Sequence, residues 1–300
     1  MSKRFVLTSM ILESSDAIEL NKSEFDTLIE AVDGLLLCVE VEENFDCIIE
    51  NYRELEESMF GEALRSVMSD QIDSISAQAP RSTTARKLAN FLSTVRLYCS
   101  TIETHAANII GDPSGATLIE RAMNVQFDSS KSYRIMDGLR NYAQHAALAV
   151  HSYSLGATWT SDRAFLEHQF EPGVNVAILA TDPKFRRKTL EEIKDGPPVL
   201  NLKTLARDYL ECLSTIHSDF RAITQDATTR FLGAIASAKQ RLADKSPDTP
   251  RIGVAIFEAR VDGMAIGEKT NLSNTLTDYL VFLRNKNQKL INFSKRRVAY

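Results

Sequence analysis

The run Leu139-Arg140-Asn141-Tyr142-Ala143-Gln144-His145 sets an arginine and a histidine five positions apart, with an amide residue directly after the arginine. These side-chain types suit metal-free cleavage of a phosphodiester. RNA can be cut by its own 2′-hydroxyl attacking the adjacent phosphorus. Catalysis then needs a group that exchanges protons near neutral pH and a cation for the phosphorane's charge. His145 and Arg140 are those two types. On a helix Asn141 lies one turn before His145, so its amide reaches the imidazole and favours one ring orientation. Arg140 stands about 140° around the helix from His145, and only its long side chain lets both act on one phosphate. The same spacing recurs at Arg163 and His168, but that stretch reads as a strand, where an odd separation puts the two on opposite faces. The plain alternative is a histidine satisfied at a helix–helix contact and an arginine that is a surface or capping cation.

The elements around this run read as mainly helical. A first strand is expected over Arg4 to Leu12, followed by helical spacing in two sets, Phe25 to Val39 and Phe45 to Met68. Ser74 to Ser82, with Pro80, reads as a break. A long amphipathic helix from Thr83 to Ile110 ends at Gly111-Asp112-Pro113, and a shorter one covers Ala116 to Val125. Asp128-Ser129-Ser130 caps the helix that carries the motif, expected from Ser132 to about His151. Beyond it, Ser152–Thr160, Ala164–Phe170 and Val174–Ala180 read as a small antiparallel meander. A helix from Asp182 to Ile193, a break at Gly196-Pro197-Pro198 and one long helical stretch from Leu202 to Leu242 follow. The turn Val261-Asp262-Gly263 joins a hairpin, and Leu272 to Ile291 closes the chain as a helix. The fold class is thus mainly α, a helical bundle with a smaller C-terminal α+β portion of short antiparallel strands. Three consecutive segments are expected: 1–80, acidic and mostly helical; 81–156, the helical core; and 157–300, α+β.

Composition excludes several classes. With 44% hydrophobic and 25% charged residues the chain is a folded globular protein. No uncharged apolar run approaches the ~18 residues of a membrane helix. Phe5 to Leu12 is too short and polar for a signal peptide, so a cytoplasmic location is expected. Cys38, Cys47, Cys99 and Cys212 form no CxxC pair, and Cys212 with His217 lacks the second pair a zinc site uses. No metal or cofactor is expected, since GxxxxGK[ST], GxGxxG and GxSxG are all missing. The net charge of −5 hides an asymmetry: residues 1–80 hold 18 acidic and 5 basic residues, leaving a remainder that is net positive and tolerant of a polyanion such as RNA.

Ser132-Tyr133-Arg134-Ile135-Met136-Asp137-Gly138-Leu139-Arg140-Asn141-Tyr142-Ala143-Gln144-His145 resembles the signature helix of HEPN domains, whose motif is Arg, a polar residue, then His after a short gap. The helix Arg86 to Asn108, with its run Leu88 to Tyr98, is similar to the helix that precedes it in many bacterial HEPN-like proteins, and the resemblance covers about residues 83–156. It implies a helical bundle that dimerises with two motifs facing each other at one composite site. Catalytic members are metal-independent endoribonucleases of toxin, phage-defence or RNA-processing systems, which implies RNA, tRNA included, as substrate and a regulatory protein as a further partner. Other members have lost activity and serve as binding or scaffold modules. Arg140, Asn141 and His145 match the motif as catalytic residues. Tyr133 and Tyr142 are candidates for base stacking, Glu103 and His105 for approach from the preceding helix, His151 for a contribution past the motif, and Lys295-Arg296-Arg297 for phosphate contact.

Overall fold

The computed structural model describes residues 3–10, 17–68, 78–145, 148–245, 253–260 and 265–296. Strands β1 (Lys3–Ser9) and β2 (Ala17–Leu20) lead into α1 (Lys22–Val67), one continuous helix of 46 residues. Its start is a reciprocal box: Glu24 N–H donates to Asn21 Oδ1 and Asn21 N–H to Glu24 Oε2, both at 2.9 Å. The two expected helical sets are fused, because Val39, Phe45 and Ile48 keep the buried face in phase and no proline interrupts it. Helix α2 (Gln78–Ile110) begins just before Pro80, which sits in the first turn, where a missing N–H breaks no internal bond. It stops at Gly111, whose φ of 77° is the left-handed stop expected there. Helix α3 (Ser114–Ser129) follows, and then α4 (Lys131–His145), capped by Ser130 Oγ, which accepts the Tyr133 N–H at 3.1 Å.

Downstream of α4 several expectations are corrected. The helix expected to reach His151 ends by residue 148, because Ala149 and Val150 turn inward as irregular buried backbone that leads into a sheet. Strand β3 (Ser152–Trp159) pairs with β4 (Leu166–Asn175), a single strand that runs through Glu171-Pro172-Gly173, expected as a separator. The strand expected over 174–180 is instead the end of β4 and the one-turn helix α5 (Val176–Leu179), because Asn175 Oδ1 accepts the Ala177 N–H at 2.9 Å and so starts a helix. After α6 (Arg187–Ile193) and the Gly-Pro-Pro break, β5 (Val199–Asn201) supplies the third strand, giving the order β3-β4-β5. The long stretch from Leu202 is two helices, α7 (Leu202–Ile223) and α8 (Gln225–Lys245), with Asp226 set against the N-terminal dipole of the second. Strands β6 (Val254–Arg260) and β7 (Ala265–Asn271) are antiparallel as expected, their turn lying outside the described residues, and α9 (Asn274–Lys286) ends before Ile291. Strand β2 was not foreseen; the N-terminal strands join β6 and β7 in one sheet, β2-β1-β6-β7.

The chain divides into two compact units, each drawn from three separate stretches and not from consecutive segments. The first, Met1–Glu43, Glu103–Thr117 and Arg221–Gln288, holds the four-stranded sheet with Leu7, Val254 and Ile256 buried on it. Within it Glu42 is sealed from solvent: Arg221 donates to both its carboxylate oxygens at 2.9 and 2.5 Å, and Arg284 adds a third bond at 3.2 Å. The second unit, Asn44–Ile102, Leu118–Phe220 and Lys289–Tyr300, is a helical bundle with a three-stranded sheet. Its centre is aromatic: Phe45 stacks on His217 at 3.9 Å, Tyr98 bonds His217 Nδ1 at 3.0 Å, and Phe91 meets Tyr209 edge-on. Among the described residues, no helix is long and apolar enough to cross a membrane.

Glu42→Ala leaves two arginines facing a cavity where their counter-charge was, at a cost of about 3–5 kcal/mol. Urea unfolding of the variant is expected at a clearly lower midpoint with an unchanged slope. A midpoint equal to wild type would show that the ion cluster does not hold the unit together.

Candidate functional site

Helix α4 is fixed along its length before its motif begins. Arg134 donates to Glu192 at 2.9 Å and caps α3 through the carbonyls of Phe127 and Asp128 at 2.6 and 2.9 Å, while Ser132 bonds Asp208 at 2.8 Å. Tyr133, Ile135, Met136, Leu139 and Tyr142 form the buried face, a 3.6-residue stripe. Gly138 lets the Phe185 ring press onto the helix, since a Cβ there would stand 2.7 Å from it. This packing sets the direction in which residue 140 leaves the helix.

Arg140 opens onto a cleft of about 410 Å³ lined also by Arg96 from α2, Arg186 from the start of α6, Asn124 and Phe127 from α3, and Tyr133. Its guanidinium is mostly buried, at 12% exposure, and Nη2 donates to Asp137 Oδ1 at 2.9 Å, one turn back. Its Nε is buried with no hydrogen-bond partner among the described residues. Arg186 lies over the Phe127 ring at 4.8 Å, and Tyr133 packs edge-on against Tyr209 at 4.9 Å. Burial, above all, pushes the hydroxyls of Tyr133 and Tyr209 far up, so both remain neutral donors at physiological pH. The lining carries three arginines against the one carboxylate of Asp137. Such a cleft suits a phosphate, whose planar-fork recognition by guanidinium is strong where water is partly excluded.

The motif residues separate. Arg140 enters the cleft; Asn141 is half-exposed and His145 exposed on the last turn, and neither lines it. Five residues of helix rise place His145 about 7.5 Å further along the axis. Tyr133 lines the cleft, but Tyr142 is core, edge-on to His151 at 5.4 Å. His151 lies beyond α4, its Nδ1 accepting the Asn175 N–H at 3.0 Å. Glu103 and His105 belong to the first unit and do not line the cleft; His105 stands 3.3 Å from Glu40. Lys295 lines a different hollow, with Asp208 and Cys212, and Arg297 lies outside the described residues. His217 is a core residue, and no group of His, Cys, Asp and Glu fit to hold a metal occurs among the described residues. Arg163 falls in the β3–β4 turn with φ of 56°, not in a strand. Arg96 and Arg186 were missed, because no local pattern links a residue of α2 to one that precedes α6.

Inorganic phosphate at about 100 times its Kd stabilises a folded protein by about 2.7 kcal/mol, a rise of several degrees in Tm. That rise is expected for wild type and should be mostly lost in Arg140→Ala and Arg186→Ala; a full rise in both would place phosphate elsewhere. A pH effect is expected at His151, which burial, and then the charge of Arg81, hold below the ordinary histidine range. Because the folded state favours the neutral ring, its contribution is present above the unfolded value of about 6.5 and is lost as pH falls below it. Stability measured from pH 7 to 5 should therefore drop more steeply in wild type than in His151→Asn, and parallel curves would contradict this. No protein-family profile, curated protein or solved structure matches the chain, so its function is read from the chemistry of the cleft and of the α4 motif.

Proposed function

We propose that the chain is a metal-independent endoribonuclease of the HEPN type, working in the cytoplasm as a homodimer and acting on RNA, tRNA among the candidates, as a toxin or phage-defence effector under the control of a regulatory protein. The observation that carries this reading is the cationic cleft at Arg140, with its partnerless buried Nε and its neighbours Arg96 and Arg186, on the same helix that exposes His145 at its end. In the reaction His145 takes the proton of a 2′-hydroxyl as the new O2′–P bond forms. Arg140 balances the charge gathering on the phosphorane. The P–O5′ bond then breaks, and the leaving oxygen takes a proton from the imidazolium, giving a 2′,3′-cyclic phosphate and a 5′-hydroxyl. Asn141 holds the imidazole. The wide angle between Arg140 and His145 on α4 is met by two copies contributing to one composite site, as the resemblance implies.

The Asp137–Arg140 pair favours a second reading, in which the carboxylate answers the arginine's charge and the bundle is a non-catalytic dimerisation or interaction module. The two are separated by incubating the protein with total RNA and with tRNA in excess EDTA. Wild type is expected to leave cyclic-phosphate and 5′-hydroxyl ends, and Arg140→Ala and His145→Ala to lose at least about 100-fold in rate. Ends bearing 3′-hydroxyls from a divalent-dependent reaction would reject the mechanism, and no cleavage by wild type would leave the second reading.

A further inference from the structure

Strand β3 is the outer strand of its sheet, and no described strand pairs with its far edge. Open edges are usually blunted by brevity, charge, proline or a bulge, because unpaired backbone groups recruit other strands. The other edges of this protein follow that rule. Strand β2 has four residues, including Glu19, and β5 has three. Strand β7 carries Glu268 and Lys269, has Gly267 at φ of 78°, and pairs with β6 through an irregular register. Strand β3 has none of these devices: Ser-Tyr-Ser-Leu-Gly-Ala-Thr-Trp is eight residues without charge or proline, in unbroken register with β4.

The ladder's phase shows what this edge offers. Thr160 N–H donates to the Phe165 carbonyl at 2.9 Å, so even-numbered residues of β3 bond toward β4 and Leu155, Ala157 and Trp159 turn their amides outward. Their side chains share one face with Leu166 and Phe170 across the ladder. That face is anchored at one end, where Phe170 is buried and His168 bonds Ser66 at 3.2 Å, and bare at the other, where Trp159 is 58% and Leu166 41% exposed.

We infer that β3 is the seam of an interface between two copies of this chain, paired antiparallel about a two-fold axis at Gly156 so that the sheet continues across six strands. An edge with no charge meets itself without repulsion, and a two-fold contact requires that self-complementarity. With the axis at Gly156, Leu155 lies opposite Ala157 of the second copy and Trp159 beside its Tyr153, an aromatic cross-strand pair. The apolar faces of both hairpins then form one surface. The seam is separate from the composite site at α4 and does not rest on the ribonuclease reading.

Its test is the mass in solution together with one designed cross-link. A Cβ at Gly156 meets nothing nearer than 3.8 Å, so Gly156→Cys is tolerated by the fold and faces its own copy across the axis. Oxidation should give a disulfide-linked dimer from this variant and not from wild type, whose own cysteines serve as the control. Ala157→Lys, at an exposed position, should halve the mass measured by light scattering while leaving the circular dichroism spectrum unchanged. A monomeric wild type, or a wild-type mass retained in Ala157→Lys, overturns the inference. A mass that halves without the cross-link overturns the Gly156 register.

Discussion

A carboxylate closed off from water, Glu42, is tolerable only because Arg221 and Arg284 reach it from α7 and α9. Removing either kind of partner leaves a bare charge in a medium that solvates it poorly. This is the strictest positional demand in the first unit: α1, the end of α7 and α9 must arrive together or the cluster cannot form. The second unit meets the same demand with neutral groups. There His217, under Phe45 and bonded to Tyr98, is a polar ring held inside an aromatic core.

Against that background the partnerless polar atoms stand out. Among the described residues Arg140 Nε, the Tyr209 hydroxyl, Arg81 Nε, His151 Nε2 and Arg284 Nη2 are buried without a hydrogen-bond partner, and the first two lie at or beside one cleft. An unmet donor of this kind costs about 1–3 kcal/mol. The cleft's cationic side and the exposed His145 lie on one helix, separated by helix geometry and not by sequence distance.

Much of the fold was legible. The capped start of α4, the glycine stop of α2 and the C-terminal hairpin all rest on interactions between residues close in sequence. The misreadings share a cause. Val174–Ala180 has the apolar, β-branched composition of a strand, but Asn175 caps a helical turn there; the inward turn of Ala149 and Val150 ends α4 early; Pro172 sits inside a strand that tolerates it. In each, a specific hydrogen bond or a tertiary contact outweighed a propensity of a few tenths of a kcal/mol.

The sequence by itself determined the motif's types and spacing, the helix that carries them and the absence of an apolar run long enough for a membrane helix, because these depend on periodicity and composition. It also located Arg140, Asn141 and His145 as the residues to examine. Only the tertiary structure decided that Arg96 and Arg186 converge on Arg140, that Asp137 is its partner, that His145 stands apart from the cleft, and that β1 closes a sheet with β6 while β3 is left at an edge. Those outcomes depend on which faces of distant elements are buried together, and burial is shared among residues that no local pattern connects.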